Sequence, residues 1–276
     1  MKTMLRIVGL LFVLALAACG WLWYEAQVFL NSAPETPGRE IFFDVTPGAR
    51  LGQVSAALAE KGRKVLCIDC DVGLRNLDIS LGMSDCASLS FLDVCQGSYA
   101  LSDACRHPKY DSLFFLTAPM NTPVEKIDPE PFGRMLLEAR QQFEFVFLDA
   151  PAGVDAGFRL TSGWVDRFLL VTGSGPAAVR DAARVSDLLE LEGKKNVRLI
   201  VNRVDEEMLS TVRLTIDDIM DTTGTPLAGV VPEDPNITLA AAFGVPVLAY
   251  ARRCPAARAF RRIADRLEGI TAPIKL

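Results

Sequence analysis

From Arg63 onward the chain alternates short, continuous apolar runs with stretches of helical character, and this rhythm limits its fold more than any other feature. The apolar runs are KVLCID (64–69), SLFFLTA (112–118), FEFVFLDA (143–150), RFLLVTG (167–173) and VRLIVNRV (197–204). Between them lie helix-like segments such as PEPFGRMLLEARQQ (129–142) and AVRDAARVSDLLELEG (178–193), the second closed by a glycine. Continuous runs predict strands buried on both faces. Helices between them predict a mostly parallel, doubly wound α/β sheet. Ligands of such sheets bind beyond the carboxyl ends of the strands.

The polar residues collect at those ends. Asp69 and Asp71 follow the first run, and Asp149 ends FEFVFLD ahead of Pro151, Ala152 and Gly153. A carboxylate in that position holds a nucleotide's magnesium through water, because hard cations take oxygen ligands. The alternative for each aspartate is a cap on the next helix. Two such sites at one sheet edge favour a nucleotide site, with Asp69 and Asp149 toward the magnesium. Asn202 and Arg203 follow the strand VRLIV, and Pro232, Glu233 and Asp234 lie in VVPEDPN (230–236), where α/β nucleotide-binding proteins read the base.

Several stretches resemble the MinD/ParA group of deviant Walker A ATPases, and within it the septum site-determining MinD proteins. They are AALAEKGRKVLCIDCDVGLRNLDISLG, FVFLDAPAGVDAGF, VTGSGPAAVRDA, VNRV and GVVPEDPNITLAAAFGVPV, in the family's order and spacing, from about residue 56 to 270. The resemblance implies ATP and magnesium as cofactors. It makes Asp71 the carboxylate that positions the attacking water, with Asp69 beside it in the first switch. Asp149 becomes the Walker B residue and Gly153 part of the second switch. Asn202 and the Pro232–Asp234 stretch become adenine contacts, and Arg180 and Asp181 lie on a helix used for dimer and partner contacts. The implied partners are the division-site regulators of the Min system.

Members of that group carry a loop of the type KGGVGKTT after their first strand. No G-x-x-x-x-G-K-[ST] occurs in this chain, and DVTPGARLGQ (44–53) stands in the loop's place. A phosphate loop works because successive glycines let backbone N–H groups wrap the phosphates while lysine neutralises them. The substitute offers Gly48, Gly52 and a single cation, Arg50, and it puts Pro47 where a donor is needed. Phosphoryl transfer depends almost wholly on that positioning and charge, so the expectation is ATP binding and hydrolysis that are weak or lost. A homodimer built around two ATP molecules would then lose its centre, which predicts a monomer.

The front of the chain reads differently. MKTMLRIVGLLFVLALAACGWLWY (1–24) has a basic start and an uncharged run from Ile7 to Tyr24, long enough to cross a bilayer as a helix. LAAC ahead of Gly20 offers a second reading, a lipoprotein signal with Cys19 as the lipidated residue. Residues 25–40 form a linker, and residues 41–276 form the α/β domain. Within that domain, 41–62 predict a strand at Ile41–Val45, a Pro-Gly turn and a helix from about Leu51. This opening resembles that of the MltG-type, membrane-anchored endolytic murein transglycosylases, through Pro47, Gly48, Ala49, Leu51, Val54, Ser55, Leu58 and Gly62. The resemblance spans about sixty residues and stops short of that family's catalytic glutamate, so it implies no transglycosylase chemistry. The two resemblances meet in ALAEKG (57–62), which suits a natural gene fusion, an engineered chimera or an assembly error alike.

An anchor at residues 4–24 implies association with the inner membrane. It also exports everything beyond residue 24, whereas the MinD-like part is cytoplasmic in its family. The net charge of −5 and pI near 5.1 argue against nucleic acid as a partner. Seven cysteines without framework spacing fit a reducing compartment. Cys67 and Cys70 form a C-x-x-C inside an apolar strand, a poor place for redox chemistry. The single histidine, His107, reads as a loop residue, and no metal-ligand cluster is visible. Near the C-terminus, AFRRIADRLEG predicts a last helix packed on the core rather than on a membrane.

Overall fold

In a computed structural model the described residues are 40–44, 50–73, 75–85, 89–150 and 156–275, with 40–44 and 50 described by their backbone path alone. The strands are β1 (Glu40–Asp44), β2 (Val65–Asp69), β3 (Cys105–Arg106), β4 (Leu113–Leu116), β5 (Phe145–Asp149), β6 (Arg167–Gly173), β7 (Val197–Val204) and β8 (Leu227–Pro232). They form one sheet in the order β3-β4-β2-β5-β1-β6-β7-β8, parallel throughout except for the short edge strand β3. The expected doubly wound architecture is present. Every residue of β2 and β5 is buried, as continuous apolar strands require.

The helices are α1 (Arg50–Glu60), α2 (Leu77–Leu81), α3 (Phe91–Cys95), α4 (Pro129–Gln142), α5 (Ala156–Ser162), α6 (Pro176–Leu191), α7 (Glu206–Val212), α8 (Ile216–Thr223), α9 (Pro235–Ala242), α10 (Val247–Tyr250) and α11 (Pro255–Leu267). They cover both sheet faces. One face packs Phe132, Val179 and Ile219 from α4, α6 and α8 against Leu66, Leu148, Phe168 and Val201. The other packs Leu51, Val54 and Leu58 of α1 and Phe260 and Ile263 of α11 against Val65, Phe147, Leu169 and Val231. Helix α11 therefore buries its apolar stripe in the core, as its sequence predicts.

β1 lies at the centre of the sheet, between β5 and β6. The helix that follows it is tied in by Gln53, a polar residue only 4% exposed. Its Nε2 donates to the Ser80 carbonyl at 2.9 Å and its Oε1 accepts from the Val247 amide at 2.8 Å. Both halves of the amide are satisfied, so its burial costs little. At the other end of α1, the nearly buried carboxylate of Glu268 pairs with Lys61 and with Arg63. Glu60 pairs with Arg261 (2.6 Å) and Arg252 (3.0 Å).

Among the described residues no helix is long and apolar enough to cross a membrane. The expected anchor (1–24), the linker as far as residue 39, and residues 45–49 between β1 and α1 lie outside them.

Candidate functional site

Parallel pairing brings three aspartates to one edge. Asp44 ends β1, Asp149 ends β5 and Asp69 ends β2, and Asp149 stands in register with both of the others. Each apolar run ends at the same height because the strands are in register, so the first polar residue of each meets its neighbours there.

The loop after β2 is built by its own carboxylates. Asp69 accepts from the amide of Asp71 at 2.9 Å and from that of Leu77 at 3.4 Å. Asp71 in turn accepts from the Gly73 amide at 3.1 Å. The Cys70 amide donates to the Asp149 carbonyl at 2.8 Å, which fastens this loop to the neighbouring strand end. Asp69 has no exposed surface, and burial pushes its carboxyl up to about 7, against the pull of its two amide donors. It is thus the residue that shapes the loop from inside, while Asp71, half-buried, borders solvent. Arg75, which no sequence pattern marks, has φ +50° and lays its guanidinium on Thr117 Oγ1 at 2.7 and 3.1 Å. That contact holds the loop against the end of β4.

Across β6, Asn202 near the end of β7 pairs with Gly173 and with Val231. The residue is 2% exposed, and among the described residues its Oδ1 has no hydrogen-bond partner. Arg203 also has a positive φ, +54°, and its exposed guanidinium pairs with Glu233 at 3.0 Å. Asp234 is spent on helix ends: Oδ1 accepts from the Asn236 amide at 3.0 Å and Oδ2 from the Ala256 amide at 3.1 Å. Burial would raise its carboxyl, but these amide donors together with Cys254 and the Asn236 side chain outweigh it, and the net shift is downward. Asp234 therefore locks the start of α9 to the start of α11. Arg180 and Asp181 are both exposed on the first turns of α6. Gly153 lies outside the described residues.

Two other expectations from the sequence meet the structure here. Cys67 and Cys70 are reduced and buried, and desolvation raises both thiols, Cys67 to about 12, so neither serves as a nucleophile. His107 is a loop residue but a buried one, 2% exposed, with Nε2 2.8 Å from the Leu81 carbonyl and Nδ1 accepting from the amides of Lys109 and Tyr110. Among the described residues no group of three or more histidine, cysteine or acidic residues is placed to hold a metal on its own.

Residues 53–247 match the model of the CobQ/CobB/MinD/ParA nucleotide binding domain. The septum site-determining protein MinD of Synechocystis sp. is 34% identical over 240 residues, covering 86% of this chain and 89% of that protein. Its Bacillus subtilis counterpart is 32% identical over 247 residues, covering 87% and 90%. Among solved structures, the MinC:MinD cell division protein complex of Aquifex aeolicus superposes with a TM-score of 0.79 at 30% identity, over 86% of this chain and 98% of that one. MinD of Pyrococcus horikoshii complexed with Mg-ADP gives 0.70 at 26% identity, over 83% and 95%. With the aspartate edge, the doubly wound sheet and these likenesses together, this chain belongs to the MinD-type septum site-determining proteins of the CobQ/CobB/MinD/ParA nucleotide-binding family.

Proposed function

We propose that this protein is a MinD-type nucleotide-binding switch for placing the division site, whose ATP binding and hydrolysis are weakened by the loss of the phosphate loop. The observation that carries the first half is the unpaired, buried Oδ1 of Asn202 at the sheet edge that bears Asp44, Asp69 and Asp149. A buried acceptor without a donor costs about 1–3 kcal/mol, and the exocyclic amine of adenine would supply that donor. The edge fits magnesium as well: carboxylates at the ends of adjacent parallel strands hold a hydrated cation through its waters. Bound there, the Mg-nucleotide supplies the reactive phosphoryl group. Asp149 would hold the ion's water shell and Asp71 would orient an attacking water. Asp69 would keep the loop that carries Asp71 in place.

The second half rests on the connection between β1 and α1. It runs through residues 45–49, VTPGA, which contain no lysine, and Arg50 is the first cation after Asp44. Each charge-assisted contact to a phosphate is worth roughly 1.5–3 kcal/mol. Losing two lysines therefore weakens binding on the order of a hundredfold or more, and the rate falls further because those charges also stabilise the transition state. A division-site regulator is the proposed partner, met at the exposed Arg180 and Asp181 of α6, with residues 4–24 as the membrane tether. MinD of Aquifex aeolicus forms such a complex with MinC. Without ATP at its centre, a dimer loses its main contact, and the protein is a monomer.

The test is to titrate the full chain with Mg-ATP and follow phosphate release. Dissociation in the millimolar range with negligible turnover supports this reading, whereas micromolar affinity with steady turnover sinks the impairment. The exposed α6 face also supports a second reading, a membrane-tethered partner-binding module without an ATP cycle. Under that reading Asp149→Asn and Asp71→Asn leave partner capture unchanged.

A further inference from the structure

Helix α2 closes the loop that carries Asp69 and Asp71, and other elements hold it in place. It has five residues, fewer than an isolated helix needs to persist in water. At its start the Leu77 amide donates to Asp69. At its end the amides of Gly82 and Met83 serve the carbonyls of Ile79 and Asp78, which leaves those of Ser80 and Leu81 to groups outside the helix. Gln53 of α1 donates Nε2 to the Ser80 carbonyl at 2.9 Å, and His107 Nε2 lies 2.8 Å from that of Leu81. Since Nδ1 of His107 accepts from two amides, the ring proton sits on Nε2 and is donated to Leu81. The fit is close on both flanks. A Cβ on Gly52 of α1 would lie 2.5 Å from Ser80 Oγ, and one on Gly82 would lie 2.1 Å from the Gly244 carbonyl oxygen, in the turn between α9 and α10.

Gln53 joins these flanks through one buried amide. While Nε2 holds Ser80, Oε1 accepts at 2.8 Å from the amide of Val247, the first residue of α10. Turning the amide away from either partner would strand a buried polar group. We propose that Gln53 is a positioning residue, a crosspiece that fixes the loop bearing Asp71 relative to the α9–α10 turn on the base side of the site. The connection is continuous: Ser80 and Leu77 share one short helix, Leu77 is bonded to Asp69, and Asp69 holds the Asp71 amide at 2.9 Å. Its functional meaning rests on the nucleotide reading given above, in which a base seated by Asn202 and the start of α9 also sets the Asp71 loop. His107 grips the neighbouring carbonyl from another element, so loss of Gln53 loosens the link while α2 keeps a second hold.

The experiment is amide exchange on the full chain, read at residues 70–82 and 244–250 with and without Mg-ADP. Gln53→Met keeps the side chain's length and makes neither bond. Without nucleotide it should speed exchange at both segments at least about tenfold, while β5 and β7 stay as protected as before. Gln53→Glu separates the two bonds, because a neutral carboxyl donates and accepts whereas a carboxylate only accepts. Burial favours the neutral form, so at pH 5 this variant should match the unsubstituted chain. At pH 8 it should free residues 70–82 and leave 247–250 protected. The unsubstituted chain at each pH corrects for the titrations of Asp69 and His107, which all three proteins share. Mg-ADP should slow exchange at 232–236 and 70–77 in the unsubstituted chain, and at 232–236 alone in Gln53→Met. Unchanged exchange at 70–77 in ligand-free Gln53→Met overturns the proposal, and so does a rise that is equal across the whole sheet. Mg-ADP protection of 70–77 that survives Gln53→Met overturns it as well. No effect of Mg-ADP on the unsubstituted chain sinks the nucleotide reading instead, and the ligand-free comparison still decides whether Gln53 holds the loop.

Discussion

Asp69 and Asp149 stand side by side in register at the carboxyl ends of β2 and β5. Asp69 is fully enclosed and turned onto the amides of its own loop, and its carboxyl is pushed up to about 7. The ionic state of this edge therefore depends on pH within the physiological range.

The sign follows from the raised value. A carboxyl with a folded pKa near 7 and an unfolded value of 3.8 contributes stability fully present below 3.8 and lost as pH rises through 7. Asp69→Asn, which cannot ionise, should therefore stabilise the fold at pH 8 by up to roughly 4 kcal/mol and change little at pH 3.5. Urea midpoints of the two proteins at both values check this. Equal differences at the two pH values would show that Asp69 is ionised without penalty.

His107 acts in the opposite direction. Burial lowers its pKa from 6.5, the bond to the Leu81 carbonyl resists that shift, and the charge of Lys109 adds to it. A depressed pKa contributes stability present above 6.5 and lost as pH falls through the folded value. Protonation would turn Nδ1 into a donor facing the amides of Lys109 and Tyr110. In an Asp69→Asn background, which removes the opposing titration, the denaturation midpoint should fall between pH 7 and pH 5, and His107→Gln should flatten that fall while lowering stability at pH 7 by about 1 kcal/mol.

Asn202 trades stability for binding. Its Oδ1 is buried and unpaired among the described residues, so Asn202→Val, well suited to a strand, should raise stability by about 1 kcal/mol. The same change should weaken nucleotide binding. Thermal melts with and without Mg-ADP separate the two effects. A variant that melts lower in both conditions would show that Asn202 is a structural residue only.

Gly133 on α4 tests packing. A Cβ there would lie 2.2 Å from the ring of Trp164. Alanine ordinarily favours a helix over glycine by about 1 kcal/mol, so a neutral site would gain stability. Overpacking costs about 1–3 kcal/mol and should prevail, making Gly133→Ala destabilising. Chemical denaturation of the single variant decides the sign.

Much of the fold is legible in the amino-acid sequence. Apolar runs such as KVLCID and FEFVFLD state their own burial, because a strand with no polar alternation has no face to give to water. The aspartates that end those runs are equally visible, since a carboxylate after a run of apolar residues marks where a strand leaves the core. Strand order is not visible. That IFFD lies between β5 and β6 follows from burial of all its neighbours at once, a non-local condition that no short stretch encodes. The same holds for Gln53, Arg75 and His107, polar residues whose partners at Ser80 and Val247, Thr117 and Leu81 are distant or on other elements. The capping of two helices by Asp234 is not visible in the sequence either, because the helix starts at Pro235 and Pro255 meet only in space. Sequence alone determined which segments are buried and where β2, β5, β6 and β7 end, because side-chain hydrophobicity is a local property. Tertiary structure decided which strand ends meet and which polar groups find a partner, because those energies depend on neighbours that only the folded chain brings together.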